Sequence, residues 1–97
     1  MRSRTGIIVV NEKDNVATAL DELPAGTTVS VKTEHRREKI ELISLIPKGH
    51  KFALRHISRG GAVIKYGETI GTSTAEILRG QHVHMHNVVS QSKGETR

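Results

Sequence analysis

A chain of 97 residues with 35% hydrophobic content is sized for a single domain with a modest core. It has no cysteine, which excludes disulfides, thiolate metal sites and thiol nucleophiles, and no apolar run near the ~20 residues of a membrane span. A formal net charge of +5 suits an anionic partner, but Phe52 and Tyr66 are too few aromatics for a base-stacking platform, so specific nucleic-acid binding is not expected. The short apolar run after Arg2 and Arg4 does not make a signal peptide, so a cytoplasmic location is the default expectation.

In chain order, residues 1–10 form an N-terminal strand region, with the β-branched run GIIVV at 6–10 reading as a buried strand. Val16, Ala17, Leu20 and Leu23 recur at helical spacing, and Asp14 or Asn15 can cap a short helix near 15–22. Pro24-Ala25-Gly26 is a turn, 27–32 an alternating strand, and 35–39 (HRREK) a polar loop. Strands follow at 40–46, 52–54 and 62–66, with a turn at 58–61 and an extended piece at 69–71. Thr74 can cap one helical turn through Leu78 that Gly80 ends. Residues 83–89 form the last strand and 90–97 a polar tail. No internal repeat or linker is evident. The expectation is a mainly β domain with one or two short helical turns, its body spanning 11–89.

The densest chemistry is HVHMHN at 82–87, which holds half of the six histidines. On a regular strand His82, His84 and His86 share one face, with Val83 and Met85 turned into the core. Imidazoles at i and i+2 are about 6.5–7 Å apart, so two of them can converge on one ion. With no thiolate available the donors are nitrogen and oxygen, which suits Fe(II), Mn(II) or Zn(II). His50, beside the basic turn PKGHK, is the candidate further ligand. The competing reading is a solvated, His-rich strand face.

Two basic turns could meet an anion. One presents His50 and Lys51, and the other places Lys65 and Tyr66 before Gly67, with Gly71 and the hydroxyls of 72–74 nearby. For the lysines the competing reading is a solvated strand end, and for the glycines it is turn geometry.

DNVATAL (14–20), IPKGHKFAL (46–54), VIKYGETIGTSTAEI (63–77) and VHMHN (83–87) together resemble the N-terminal domain of altronate and galactarate dehydratases, and the small subunit of sulfolactate sulfo-lyase. The likeness runs from Asn11 to Val89, with no recognisable motif from Lys32 to Leu45. It implies an SAF-type β-clip fold and a share in a sugar-acid lyase that uses a divalent metal, usually Fe(II). It also implies a large catalytic lyase subunit as partner and a small sugar-acid carboxylate as substrate. The carried-over site comprises His84 and His86 for proton transfer or metal ligation, with His82 or His50 joining the metal. His50, Lys51, Lys65, Tyr66, Asn87, Asp14 and Asn15 would contact substrate. His82 has no fixed counterpart in the family pattern.

That chemistry suits the residues. Dehydrating a hydroxy acid removes a proton α to a carboxylate and expels a β hydroxide, and a metal, lysines and histidines can stabilise the charge or move the proton. Expelling sulfite instead uses the same intermediate. The chain by itself is not expected to be active. A non-catalytic β-clip module that binds a carbohydrate acid or a protein, and a homo-oligomeric assembly, remain open alternatives.

Overall fold

Four eight-residue units share one pattern: ALDELPAG at 19–26, LISLIPKG at 42–49, ALRHISRG at 53–60 and STAEILRG at 73–80. In each, the first and fifth side chains are buried: Ala19 and Leu23, Leu42 and Ile46, Ala53 and Ile57, Ser73 and Ile77. The glycine that closes each unit, Gly26, Gly49, Gly60 or Gly80, has positive φ. The computed structural model of the protein, which describes residues 7–90, pairs the first unit with the second and the third with the fourth. Leu23 and Ile46 exchange two backbone hydrogen bonds, and so do Ile57 and Ile77. Gly26 N–H donates to Leu42 O and Gly49 N–H to Ala19 O; in the other pair Gly60 N–H donates to Ser73 O and Gly80 N–H to Ala53 O. Each pair is thus two arms clasped by reciprocal bonds. The expected lack of internal repeats was wrong: only the first, fifth and eighth positions of each unit are constrained, which hides the pattern from a search for overall similarity.

Strands grow from these clasps. The elements are β1 Ile7–Val9, β2 Val16–Thr18, β3 Thr28–Lys32, β4 Arg37–Glu41, β5 Lys51–Ala53, β6 Ala62–Lys65, β7 Glu68–Ser73, β8 His82–Val83 and β9 Val88–Ser90. They form three sheets ordered β1-β3-β4, β2-β5-β8 and β6-β7-β9, antiparallel except for the parallel β1–β3 pair. The β2-β5-β8 sheet is packed on both faces. Ala17 and Phe52, paired in register, join Val29, Val31 and Ile40 of the β1-β3-β4 sheet in one core. Val16, Ala53 and Val83 join Val63 of the third sheet in the other. The side chains of a strand alternate in direction, so a strand three residues long serves two cores at once.

The mainly β class is as expected, but no helix occurs among the described residues. Residues 15–22 are not helical: Val16 and Ala17 point to opposite cores, and Leu20 is 70% exposed. Asp14 and Asn15 spend their side chains on the β6–β7 hairpin instead of a cap. Residues 74–78 are part of the arm of the fourth unit, with Ile77 buried at its bridge to Ile57 and its neighbours exposed. HRREK is not a loop throughout, because β4 begins at Arg37 and turns only Ile40 inward. The strand expected at 40–46 therefore ends at Glu41, and Leu42 to Ile46 form a clasp arm. The first strand is not buried throughout: Ile8 packs inward while Val9 is 74% exposed. The strand expected at 83–89 breaks into β8 and β9. Of the tail expected at 90–97, Ser90 belongs to β9, where it pairs with Gly71, and the rest lies outside the described residues.

Gly80 N–H binds Ala53 O while its carbonyl accepts from Ile43 N–H, so it ties the two clasps together. A Cβ there would collide with the Glu41 carbonyl oxygen, whereas one at Gly49 would meet nothing within 4 Å. Both substitutions carry the left-handed penalty of about 1 kcal/mol. Chemical denaturation should therefore show Gly49→Ala losing about 1 kcal/mol and Gly80→Ala losing roughly 3 kcal/mol or more; equal losses would contradict this role of Gly80.

Candidate metal and substrate site

The clasps deliver the histidines. His50 follows the glycine of the second unit and leads into β5, and His82 follows that of the fourth unit and opens β8. Because β5 and β8 pair, with Phe52 opposite His82, the two rings meet at the edge of the middle sheet. His50 Nδ1 lies 2.9 Å from His82 Nε2. His84 stacks on His50 with centroids 3.9 Å apart and planes 6° from parallel. One nitrogen from each of His50, His82 and His84 falls within 4.8 Å of the others.

The chain after His82 is shaped by Asn87, which is 3% exposed. Its Oδ1 accepts from His84 N–H at 2.9 Å and its Nδ2 donates to His82 O at 3.0 Å. Its own N–H donates to His84 O, closing a turn over 84–87. This turn replaces the regular strand. Val83 is buried as expected, but Met85 is 79% exposed. His86 sits outside the trio, exposed and tilted 33° against His82 at 5.0 Å.

Two imidazole lone pairs cannot face each other at 2.9 Å, so a proton or a cation must lie between His50 and His82. Nitrogen ligands at neighbouring corners of an octahedron with bonds of about 2.1 Å lie ~3.0 Å apart, so this pair fits a divalent ion. A set of neutral imidazoles suits Fe(II) or Zn(II) better than Mn(II). His84, lying flat on His50, would have to turn to join them. Burial chiefly, then neighbouring His86, His50 and His84, holds the His82 imidazole below its ordinary pKa. His84 is also lowered, by desolvation first and then by His50, Lys51 and His86. Both shifts favour the neutral, ligating form. Lys51, Val83, His84, Met85 and Val88 line a depression beside the trio, which therefore has a cationic side chain at its wall.

The model for the altronate/galactarate dehydratase SAF domain matches residues 5–91. The chain belongs to this SAF-domain family. Over 80 residues it is 46% identical to altronate dehydratase of Escherichia coli K12, covering 82% of this chain but 15% of that protein. It is 39% identical over 84 residues to galactarate dehydratase (L-threo-forming) of the same organism, again 15% of the relative's length. Against (2R)-sulfolactate sulfo-lyase subunit alpha of Chromohalobacter salexigens it is 34% identical over 84 residues, and there the match spans 89% of the relative.

Within this SAF domain the residues singled out from sequence fall into two places. His50, Lys51, His82 and His84 gather at the β5–β8 edge, with His86 at their margin. Lys65 and Tyr66 lie at the β6–β7 tip, where Asp14 and Asn15 hold the hairpin. Asp14 is 2% exposed and both its carboxylate oxygens accept backbone N–H groups, from Asn11 and Gly67. Asn15 brackets Ile64 and donates to Ala62 O. Sequence reasoning gave His82 less weight than His84 and His86 and did not single out Ser44; in the structure the His82 ring neighbours those of His50, His84 and His86, and Ser44 Oγ accepts from His82 N–H. Spacing alone could have revealed neither, since His82 meets His50 through the β5–β8 register and Ser44 meets His82 through the Ile43–Gly80 backbone bond between distant segments.

Two outcomes follow. Asn87→Ala leaves His84 N–H and His82 O without partners, so it should cost about 2–3 kcal/mol in chemical denaturation. The depressed histidines set a sign for pH. Below their ordinary value of 6.5 the unfolded chain takes up protons that the folded chain resists, so stability is full above that pH and falls as pH drops towards the lower folded values. Thermal melts from about pH 8 to about pH 5 should show a steeper acid loss for the wild type than for His82→Gln.

Proposed function

We propose that the chain is the SAF-type small subunit, or the corresponding domain, of a sugar-acid lyase, most directly a hydro-lyase of the altronate/galactarate dehydratase type. Its share of the active site is the His50–His82–His84 group with Lys51, and a larger lyase polypeptide completes the site. The observation that carries this reading is the 2.9 Å approach of His50 Nδ1 and His82 Nε2 beside a lysine-lined depression. Protonated histidines would repel at this distance, so the pair holds a shared proton or a cation between neutral rings. Three imidazoles and a lysine, with no carboxylate among them, suit a cation together with an anionic substrate.

The reaction takes a proton from the carbon α to a carboxylate and breaks the C–O bond at the β carbon, with the hydroxide leaving as water. Negative charge gathers on the carboxylate as the proton departs. A divalent metal, Fe(II) foremost, would supply Lewis-acid stabilisation of that charge. His50 and His82 would hold it, with His84 as third ligand. Lys51, at the rim of the depression, would bind the carboxylate. His86, exposed at the margin, can move a proton between solvent and the site. Asn87 keeps the 82–87 turn closed, so its contribution is to position His82 and His84.

A second reading has its own support. The match spans 89% of a (2R)-sulfolactate sulfo-lyase alpha subunit, which supports a share in a sulfo-lyase. Substrate decides between them. The chain should be combined with the large lyase subunit of its own organism and metal, then assayed with altronate, galactarate and sulfolactate. Turnover of a sugar acid supports the hydro-lyase reading and turnover of sulfolactate the alternative. The chain alone should show no turnover. His50→Ala and His82→Ala should each lower turnover by on the order of 10²-fold or more and reduce bound metal. Near-normal turnover and metal content in both variants would overturn the site assignment.

A further inference from the structure

The tip of the β6–β7 hairpin is built in a way that the stability of the domain does not explain. Two residues, Tyr66 and Gly67, join the strands, and both have positive φ, at 57° and 76°. A two-residue turn with both φ values positive favours Asn-Gly or Asp-Gly, because a bulky side chain in the left-handed region is strained. Tyr66 carries that strain while its side chain is 78% exposed. Buried Asp14 and half-buried Asn15 keep it there: Asp14 accepts Gly67 N–H, and Asn15 exchanges hydrogen bonds with Ile64 below the tip. Lys65 Nζ rests 3.5 Å from the centre of the Tyr66 ring. Persisting strain under such support marks a side chain needed for contact, and large exposed aromatics are the residue type that anchors interfaces.

Apolar neighbours share the tip's surroundings. Tyr66 and Lys65 line a groove with Val9 and Leu20, which are 74% and 70% exposed. The other exposed aliphatics on the clasp arms, Ile43, Leu45 and Leu78, are only about half exposed, at 52%, 49% and 48%. The matched region makes up 15% of the altronate and galactarate dehydratase relatives, so in them such a domain accompanies a body several times its size. We propose that the groove rimmed by Val9, Leu20 and Tyr66 is the surface on which the larger lyase polypeptide seats. Tyr66 is the anchor, and Lys65 faces an acidic side chain of the partner. This rests on the subunit reading above and adds the place of contact.

The test is Tyr66→Asn in the full chain, read by thermal melting and by titration against the large lyase subunit of the same organism. Asparagine suits the turn, so the melting temperature should hold or rise, while association weakens on the order of 10- to 100-fold. Leu78→Ser, on a clasp arm, should associate as the wild type does. Should Tyr66→Asn melt early, Leu20→Ser, which leaves the turn intact, is the deciding variant and should weaken association likewise. Wild-type affinity in the stable variant would overturn the groove while leaving the subunit reading in place. A wild-type chain that forms no complex with the large subunit would remove both.

Discussion

Everything in this domain hangs on reciprocal backbone hydrogen bonds between paired eight-residue arms. Each arm offers the N–H of a left-handed glycine and the two polar groups of a buried aliphatic residue, and its partner returns the same. Among the described residues, with their short strands and no helix, these bonds satisfy backbone groups that regular ladders would otherwise take up. The buried fifth positions, Leu23, Ile46, Ile57 and Ile77, add apolar packing at the same points. Gly80 joins one clasp to the other through Ala53 and Ile43.

The site is a consequence of that arrangement. Strands β3, β5, β6 and β8 each start just after a clasp glycine, so residues next to the second and fourth turns are carried into one sheet. His50 and His82, far apart in the chain, come to hydrogen-bonding distance for this reason. Their packing depresses the basicity of His82, and the Asn87 turn folds His84 back over His50. Scaffold and histidine cluster are therefore coupled: a fault at Gly49 or Gly80 would displace the imidazoles as well as loosen the core.

Local rules fail at two places in the structure. Tyr66 occupies a backbone region suited to asparagine or glycine, and four imidazoles crowd at one sheet edge although protonation would drive them apart. Both sit where the family motifs are densest, around GHKF, KYGE and VHMHN, which also supply Phe52 and Val83 to the cores.

By itself the sequence determined the class, the family and the residue types of the site. Glycines between short β-branched runs pointed to strands and turns, and the motifs at 46–54, 63–77 and 83–87 carried the family. These are local signals, fixed by backbone preference and residue chemistry. The tertiary structure decided what depends on pairing between distant segments. Val16, Ala17, Leu20 and Leu23 had helical spacing, yet pairing with β5 sends Val16 and Ala17 to separate cores and leaves Leu20 in solvent. His86 looked equivalent to His84 by alternation, until Asn87 broke the strand and left His86 at the margin. His82 became central because it pairs across from Phe52, next to the turn that presents His50. Periodicity describes neighbours along the chain, whereas a site made of clasped arms is defined by neighbours across it.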